Sequence, residues 1–198
     1  MKTVFKEENC QKDLLIINVL SANLWGIAFA IPTALIFGLP FYFIWKNIGG
    51  FAFPAIFSNT SVNILVNTGI YVLAFVVGIV LHELIHGIVW AKYASRGWKS
   101  IKLGIMWDKL CSPYCHCSEP LQVRHYITGA IMPMLILGVL PAITAIIIGN
   151  GFLLVFGIIF TIAAIGDLMI INLLRKENAT DWVQDHPSEA GCWIYRSK

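Results

Sequence analysis

His82-Glu83-Leu84-Ile85-His86 brings two imidazoles and a carboxylate together within five residues. On a helix, residues four apart lie on one face one turn apart, so both imidazoles can reach a single metal ion. Glu83 sits beside that face, placed to take a proton without serving as a ligand. Zinc suits this pattern because it lowers the pKa of a bound water from about 15.7 to about 7. A neighbouring glutamate can then pass the proton to a leaving amine. These residue types at this spacing fit hydrolysis of a peptide bond.

The setting sharpens the motif. It stands inside a long apolar run, where a charged side chain costs about 2.5–3.5 kcal/mol at a helix centre. Three such side chains in five residues need a compensating partner. A metal ion is one, and a hydrogen-bonded polar patch between helices is the plain alternative. Catalytic zinc sites keep three protein ligands and an open position. Asp167 is the sole acidic residue in the last two apolar runs, and so it is the candidate third ligand. At 1.5 Å per residue it lies about 12 Å from Arg175, while His82 and His86 lie about 15 Å and 9 Å from Lys92. Asp167 therefore falls at a level between the two histidines. The alternative is a lone acid bonded to Asn172 or to a backbone carbonyl. Gly87 and Gly166 flank the candidate ligands and would let the two helices approach closely.

The elements that must position these groups are membrane helices. Apolar residues make up 58% of the 198 and charged residues 13%, against roughly 45–50% and 25% in soluble domains. Four runs, at about 14–45, 64–91, 126–148 and 152–174, reach the roughly 20 residues that a bilayer requires. Pro32 and Pro40 predict a kink or a broken end in the first. A turn at Asn150-Gly151 makes the last two a helical hairpin. Acidic residues before the first run, and its length, argue for an anchor and against a cleaved signal. Lys and Arg gather before the first run, in the 92–125 loop and after the fourth, with Lys46 alone on the other side. By the positive-inside rule both termini and that loop face the cytoplasm of a multi-pass protein of the cell membrane. The expected fold is a single mainly α, integral membrane domain over 1–198, with a cytoplasmic tail at 175–198.

Within the loop, Ile101, Leu103, Ile105 and Trp107 alternate with Ser100, Lys102, Gly104 and Met106, a period of two that predicts a strand. Its edge could hold an extended substrate, or the strand could simply pack on the membrane surface. Pro113 to Pro120 reads as an irregular connection, and Asp185-His186-Pro187 in the polar tail as a turn. Cys111, Cys115, His116 and Cys117 raise a second metal site, but they are crowded for the usual paired-cysteine spacing; partly buried, reduced thiols are the simpler reading. His125 opens the third run at the interface. His186 could approach the site as a further ligand or lid, although turn chemistry already explains it.

His82-Glu83-x-x-His86-Gly87 in a membrane helix, followed by Gly166-Asp167 in a later one, is similar to the site-2 protease class of intramembrane zinc proteases. With Pro113-Tyr-x-x-Cys-x-Glu-Pro120, Pro133 and Asp185-His186-Pro187 added, the chain resembles more closely the small zincin family DUF3267, from about Ile64 onward. The resemblance implies zinc held by His82, His86 and Asp167, with Glu83 as general base. The proline-rich stretch that site-2 proteases often carry around the aspartate is absent, so no oxyanion or substrate role transfers with it. The implied substrate is a membrane-anchored or membrane-proximal protein.

Other classes fit less well. A net charge of +3 with no basic, aromatic-rich stripe gives no nucleic-acid surface. A metal transporter needs ionisable groups at several depths, whereas here they share one depth. Two intramembrane histidines are too few for a membrane di-iron oxygenase. A silent scaffold that keeps the fold remains the third alternative.

Overall fold

A computed structural model describes residues 5, 10–47, 61–106, 112–186 and 191–197. Four of its helices are long and apolar enough to cross a bilayer: Leu24–Trp45, Leu65–Tyr93, Val123–Ile148 and Gly151–Leu174, of 22, 29, 26 and 24 residues. They turn large apolar side chains outward, with Leu65 77% and Ile147 72% exposed. Such surfaces suit lipid and not water.

The first apolar run divides where hydropathy shows no boundary. Cys10–Ile16 is a strand, β1, and helix α1 begins at Val19 and continues to Trp45 through both Pro32 and Pro40. Of the two outcomes expected at the prolines, a kink or a broken end, the broken end does not occur. Beside Pro32 the Thr33 hydroxyl donates to the Phe29 carbonyl at 2.7 Å, and membrane helices tolerate such prolines. Helix α2, Ser61–Tyr93, carries the His-Glu-x-x-His motif. The third run is helical throughout, but its middle turn differs. α3, Val123–Pro133, passes into a π segment, Met134–Val139, and then into α4, Leu140–Ile148. Pro133 removes one helical hydrogen bond at the point where the winding changes. The fourth run is α5, Gly151–Ala163, and α6, Ile165–Leu174, separated at Ala164.

The α4–α5 hairpin forms as expected, with its turn one or two residues early. Gly149 takes φ +73°, where an added Cβ would lie 2.7 Å from the Trp45 ring. Asn150 then caps α5, accepting the Leu153 N–H at 2.9 Å. Trp45 also donates to the Ile146 carbonyl at 2.9 Å, which seats α1 on this hairpin.

The connections hold more strand than the sequence suggested. β2, Ile101–Met106, forms as expected, and Trp107 lies outside the described residues. The stretch expected to be irregular contains its antiparallel partner, β3, Ser112–Cys117, with Leu103 opposite Cys115 and Ile101 opposite Cys117. Most of the tail is sheet as well. β5, Trp182–Asp185, and β6, Gly191–Ser197, join β1 and the two-residue β4, Leu121–Gln122, in the order β1-β6-β5-β4. Because β1 pairs with β6 along its whole length, the two terminal segments share one side of the helices. Arg196 fastens the junction, with bonds to Glu177 at 2.6 and 2.8 Å and an ion pair to Asp13. Asp185 ends β5 and His186 follows it, while the rest of the expected turn, Pro187 included, lies outside the described residues.

One buried cluster joins sheet to helices: Trp90 of α2 and Ala94 just beyond it, Val123, Tyr126 and Ala130 of α3, Leu174 of α6, and Val183, Cys192 and Ile194 of the tail. Glu119 clamps the hairpin to the end of α2. It accepts from Ser100, from Ser95 at 2.5 Å and from the Arg96 N–H at 3.1 Å. Burial pushes its carboxyl up, and these three donors more than offset this, leaving it below the usual range.

Candidate metal centre

α2 presents His82 and His86 on one face, and α6 brings Asp167 to them in its first turn. His82 Nε2 lies 3.2 Å from Asp167 Oδ2 and 3.2 Å from His86 Nε2; His86 Nε2 lies 3.3 Å from Asp167 Oδ1. Each residue offers one ligand atom, and the three atoms lie within 4.8 Å of one another. Among the described residues this is the one such group of histidine, cysteine and acidic side chains. Asp167 thus contacts both histidines, at the level that helical rise assigns it.

The donor set fits a cation. His86 Nδ1–H donates to the Gly129 carbonyl at 2.9 Å, which leaves Nε2 of the neutral ring with its lone pair turned toward the carboxylate. With His82 in the matching tautomer, lone pairs from two imidazoles and one carboxylate would converge on a small volume, where a divalent ion would relieve their repulsion. Two neutral imidazoles and one carboxylate would leave zinc with a net charge of +1. His86 is 4% exposed, His82 12% and Asp167 24%, so the centre is closed behind His86 and more open beside Asp167.

Glu83 is next to the ligands, and its carboxylate accepts the backbone N–H of Cys115 on β3. Two residues on, the Cys117 N–H donates to Asp185 Oδ2 at 2.8 Å. Both N–H groups are turned away from β2, so this edge of β3 faces the centre.

Several supporting groups lay beyond the reach of the sequence reading. Gly129 supplies a backbone carbonyl, and a carbonyl carries no side-chain signal. Trp90 stands four residues after His86 and stacks on it with ring centroids 5.0 Å apart; Tyr126 stacks on Trp90 at 5.0 Å. The i, i+4 spacing of Trp90 was the available clue. The glycines also play other parts than expected. Gly87 lets the hairpin approach α2, since a Cβ there would meet Ile101 at 3.1 Å and Cys115 Sγ at 3.4 Å. Gly166 has nothing within 4 Å of its Cβ position, so it does not mediate a close helix crossing. Gly129, beside the centre, is close-packed: a Cβ there would stand 2.0 Å from Trp90 Nε1. Gly129→Ala is therefore expected to displace Trp90 and cost about 1–3 kcal/mol through overpacking. Thermal unfolding of the purified protein measures this, and an unchanged midpoint would contradict it.

The remaining candidates lie elsewhere. Cys10, Cys115, Cys117 and Cys192 take part in no disulfide. Burial pushes Cys115 up, and Cys117 and Cys192 up to about 12, so all three stay protonated at neutral pH. Cys111 lies outside the described residues. His116 Nδ1 sits 3.6 Å from Asp185. His125 stacks on Tyr93 at 4.0 Å, and His186 packs against Trp193 at 5.2 Å.

Two histidines one helical turn apart, a carboxylate from a second helix and an adjacent glutamate match the residue pattern of HExxH metal centres. The family model of DUF3267, described as "Putative zincin peptidase", matches residues 75–182. That match takes in more than half of the chain and all four site residues, and the chain belongs to this family. Its zincin description implies zinc. No curated protein matches the chain, and no solved structure does.

Proposed function

We propose that the protein is an intramembrane zinc endopeptidase that cleaves membrane-anchored or membrane-proximal proteins near the cytoplasmic face of the cell membrane. The observation that carries this reading is the meeting of His82, His86 and Asp167, with Glu83 alongside, on helices long enough to span a bilayer. The whole chain acts as one unit, with four spans and both termini in the cytoplasm. The distribution of Lys and Arg supports that orientation, and the pairing of β1 with β6 agrees with it.

His82 Nε2, His86 Nε2 and a carboxylate oxygen of Asp167 would hold the zinc. When bound, zinc supplies Lewis acidity and a nucleophile at neutral pH. The protein's own groups do the rest. The Gly129 carbonyl fixes the His86 tautomer so that Nε2 stays free to ligate. Trp90 covers the rear of that ring against water. Glu83 takes a proton on its carboxylate and returns it to the leaving amine, with the Cys115 N–H orienting it between the two transfers. The outer edge of β2, which pairs with β3 alone among the described strands, suits an extended substrate, and the open flank at Gly166 gives access next to Asp167.

The test compares protein N-termini in membranes of cells with and without the active protein. Expression should create new N-termini near the cytoplasmic ends of membrane anchors. Zinc chelation of solubilised membranes should stop their formation, and returned Zn2+ should restore it. Identical sets of N-termini under all conditions would defeat the proposal.

A further inference from the structure

The C-terminal sheet sends one buried acid toward the centre. Asp185 lies on the inward face of β5, opposite Cys192 and two residues from Val183 in the buried cluster. Its two oxygens serve different elements. Oδ1 accepts the Tyr126 hydroxyl of α3, and Oδ2 accepts the Cys117 N–H of β3 at 2.8 Å.

Each bond leads to a different part of the centre. Tyr126 stacks on Trp90 with 20° between the ring planes, and its carbonyl accepts Trp90 Nε1–H at 3.1 Å; Trp90 in turn stacks on His86 at 16°. That column sets the plane of a candidate metal ligand. Cys117 lies two residues along the strand from Cys115, whose N–H meets Glu83. That edge sets the position of the candidate base. One carboxylate therefore fixes both arms, and its residue comes from the tail that follows the last helix.

We propose that Asp185 is a positioning residue that makes the C-terminal sheet part of the metal centre, aligning His86 through Tyr126 and Trp90 and aligning Glu83 through the edge of β3. This rests on the zinc-peptidase reading above. Supporting partners of metal ligands commonly contribute about 10–100-fold in metal affinity, and Asp185 acts at two removes, so the lower part of that range applies.

The experiment titrates Co2+ into full-length, detergent-purified, metal-stripped protein and records affinity and the visible ligand-field spectrum. Wild type should bind Co2+ with the intense bands of a four-coordinate site. Asp185→Ala should bind about tenfold more weakly with altered bands, and Tyr126→Phe should shift the same way by less. Asp185→Asn keeps an acceptor for Cys117 and offers an N–H2 to the Tyr126 oxygen, so it should return close to wild type. A role in folding alone would leave the bands of the bound metal unchanged. Wild-type affinity and spectrum in both Asp185→Ala and Tyr126→Phe would overturn the proposal, as would an Asn variant as weak as the Ala variant. If Asp185→Ala does not fold, Tyr126→Phe and Asp185→Asn decide it. Wild type that binds no Co2+ would instead overturn the metal-centre reading, a separate and recognisable result.

Discussion

Glu83→Gln is expected to abolish cleavage while leaving the metal bound. Glutamine has the shape of glutamate and keeps an oxygen that can accept the Cys115 N–H. What it lacks is a basic oxygen to take a proton. Positioned acid–base groups contribute about 10²–10⁴-fold to rate, so the variant should lose at least about 100-fold in production of new N-termini. Its metal content should equal that of wild type, because His82, His86 and Asp167 meet without any contribution from Glu83. Cleavage within a few-fold of wild type would remove Glu83 from the role of base.

Asp167→Ala is expected to do the opposite, weakening the metal before any chemistry begins. The carboxylate lies against both imidazoles, at 3.2 and 3.3 Å. Without it, two neutral nitrogens remain from one helix and nothing from α6. Losing a direct ligand should exceed the about 10–100-fold effect of losing a supporting partner. It also removes the negative charge that offsets the ion in a low-dielectric site. Competition against a chromophoric chelator measures the affinity. A variant that holds zinc as tightly as wild type would show that Asp167 is bonded to the histidines for another reason.

The parts that could be read from sequence are those governed by short-range geometry. Helical spacing places His82 and His86 on one face, and a fixed rise per residue puts Asp167 at their level without knowledge of the packing. What escaped the sequence depends on partners far along the chain. β1 is apolar at Leu14, Leu15 and Ile16 and merges by hydropathy with α1; only its pairing with β6 distinguishes it. β3 is hidden by Pro113 and a cysteine-rich composition that does not alternate, yet it pairs with β2 in full register. Asp185 was read as a turn residue because its side-chain partners, Tyr126 and Cys117, are 59 and 68 residues away. The helix α1 does not end at its prolines for a different reason. Membrane helices tolerate the lost hydrogen bond that would break a helix in water.

The measurement closest to the central claim is zinc content per chain of wild type, Glu83→Gln and Asp167→Ala, purified side by side in detergent. A zinc centre built from His82, His86 and Asp167 predicts one zinc per chain in wild type and in Glu83→Gln, and a large deficit in Asp167→Ala. Equal zinc in all three proteins, or none in wild type, would contradict it.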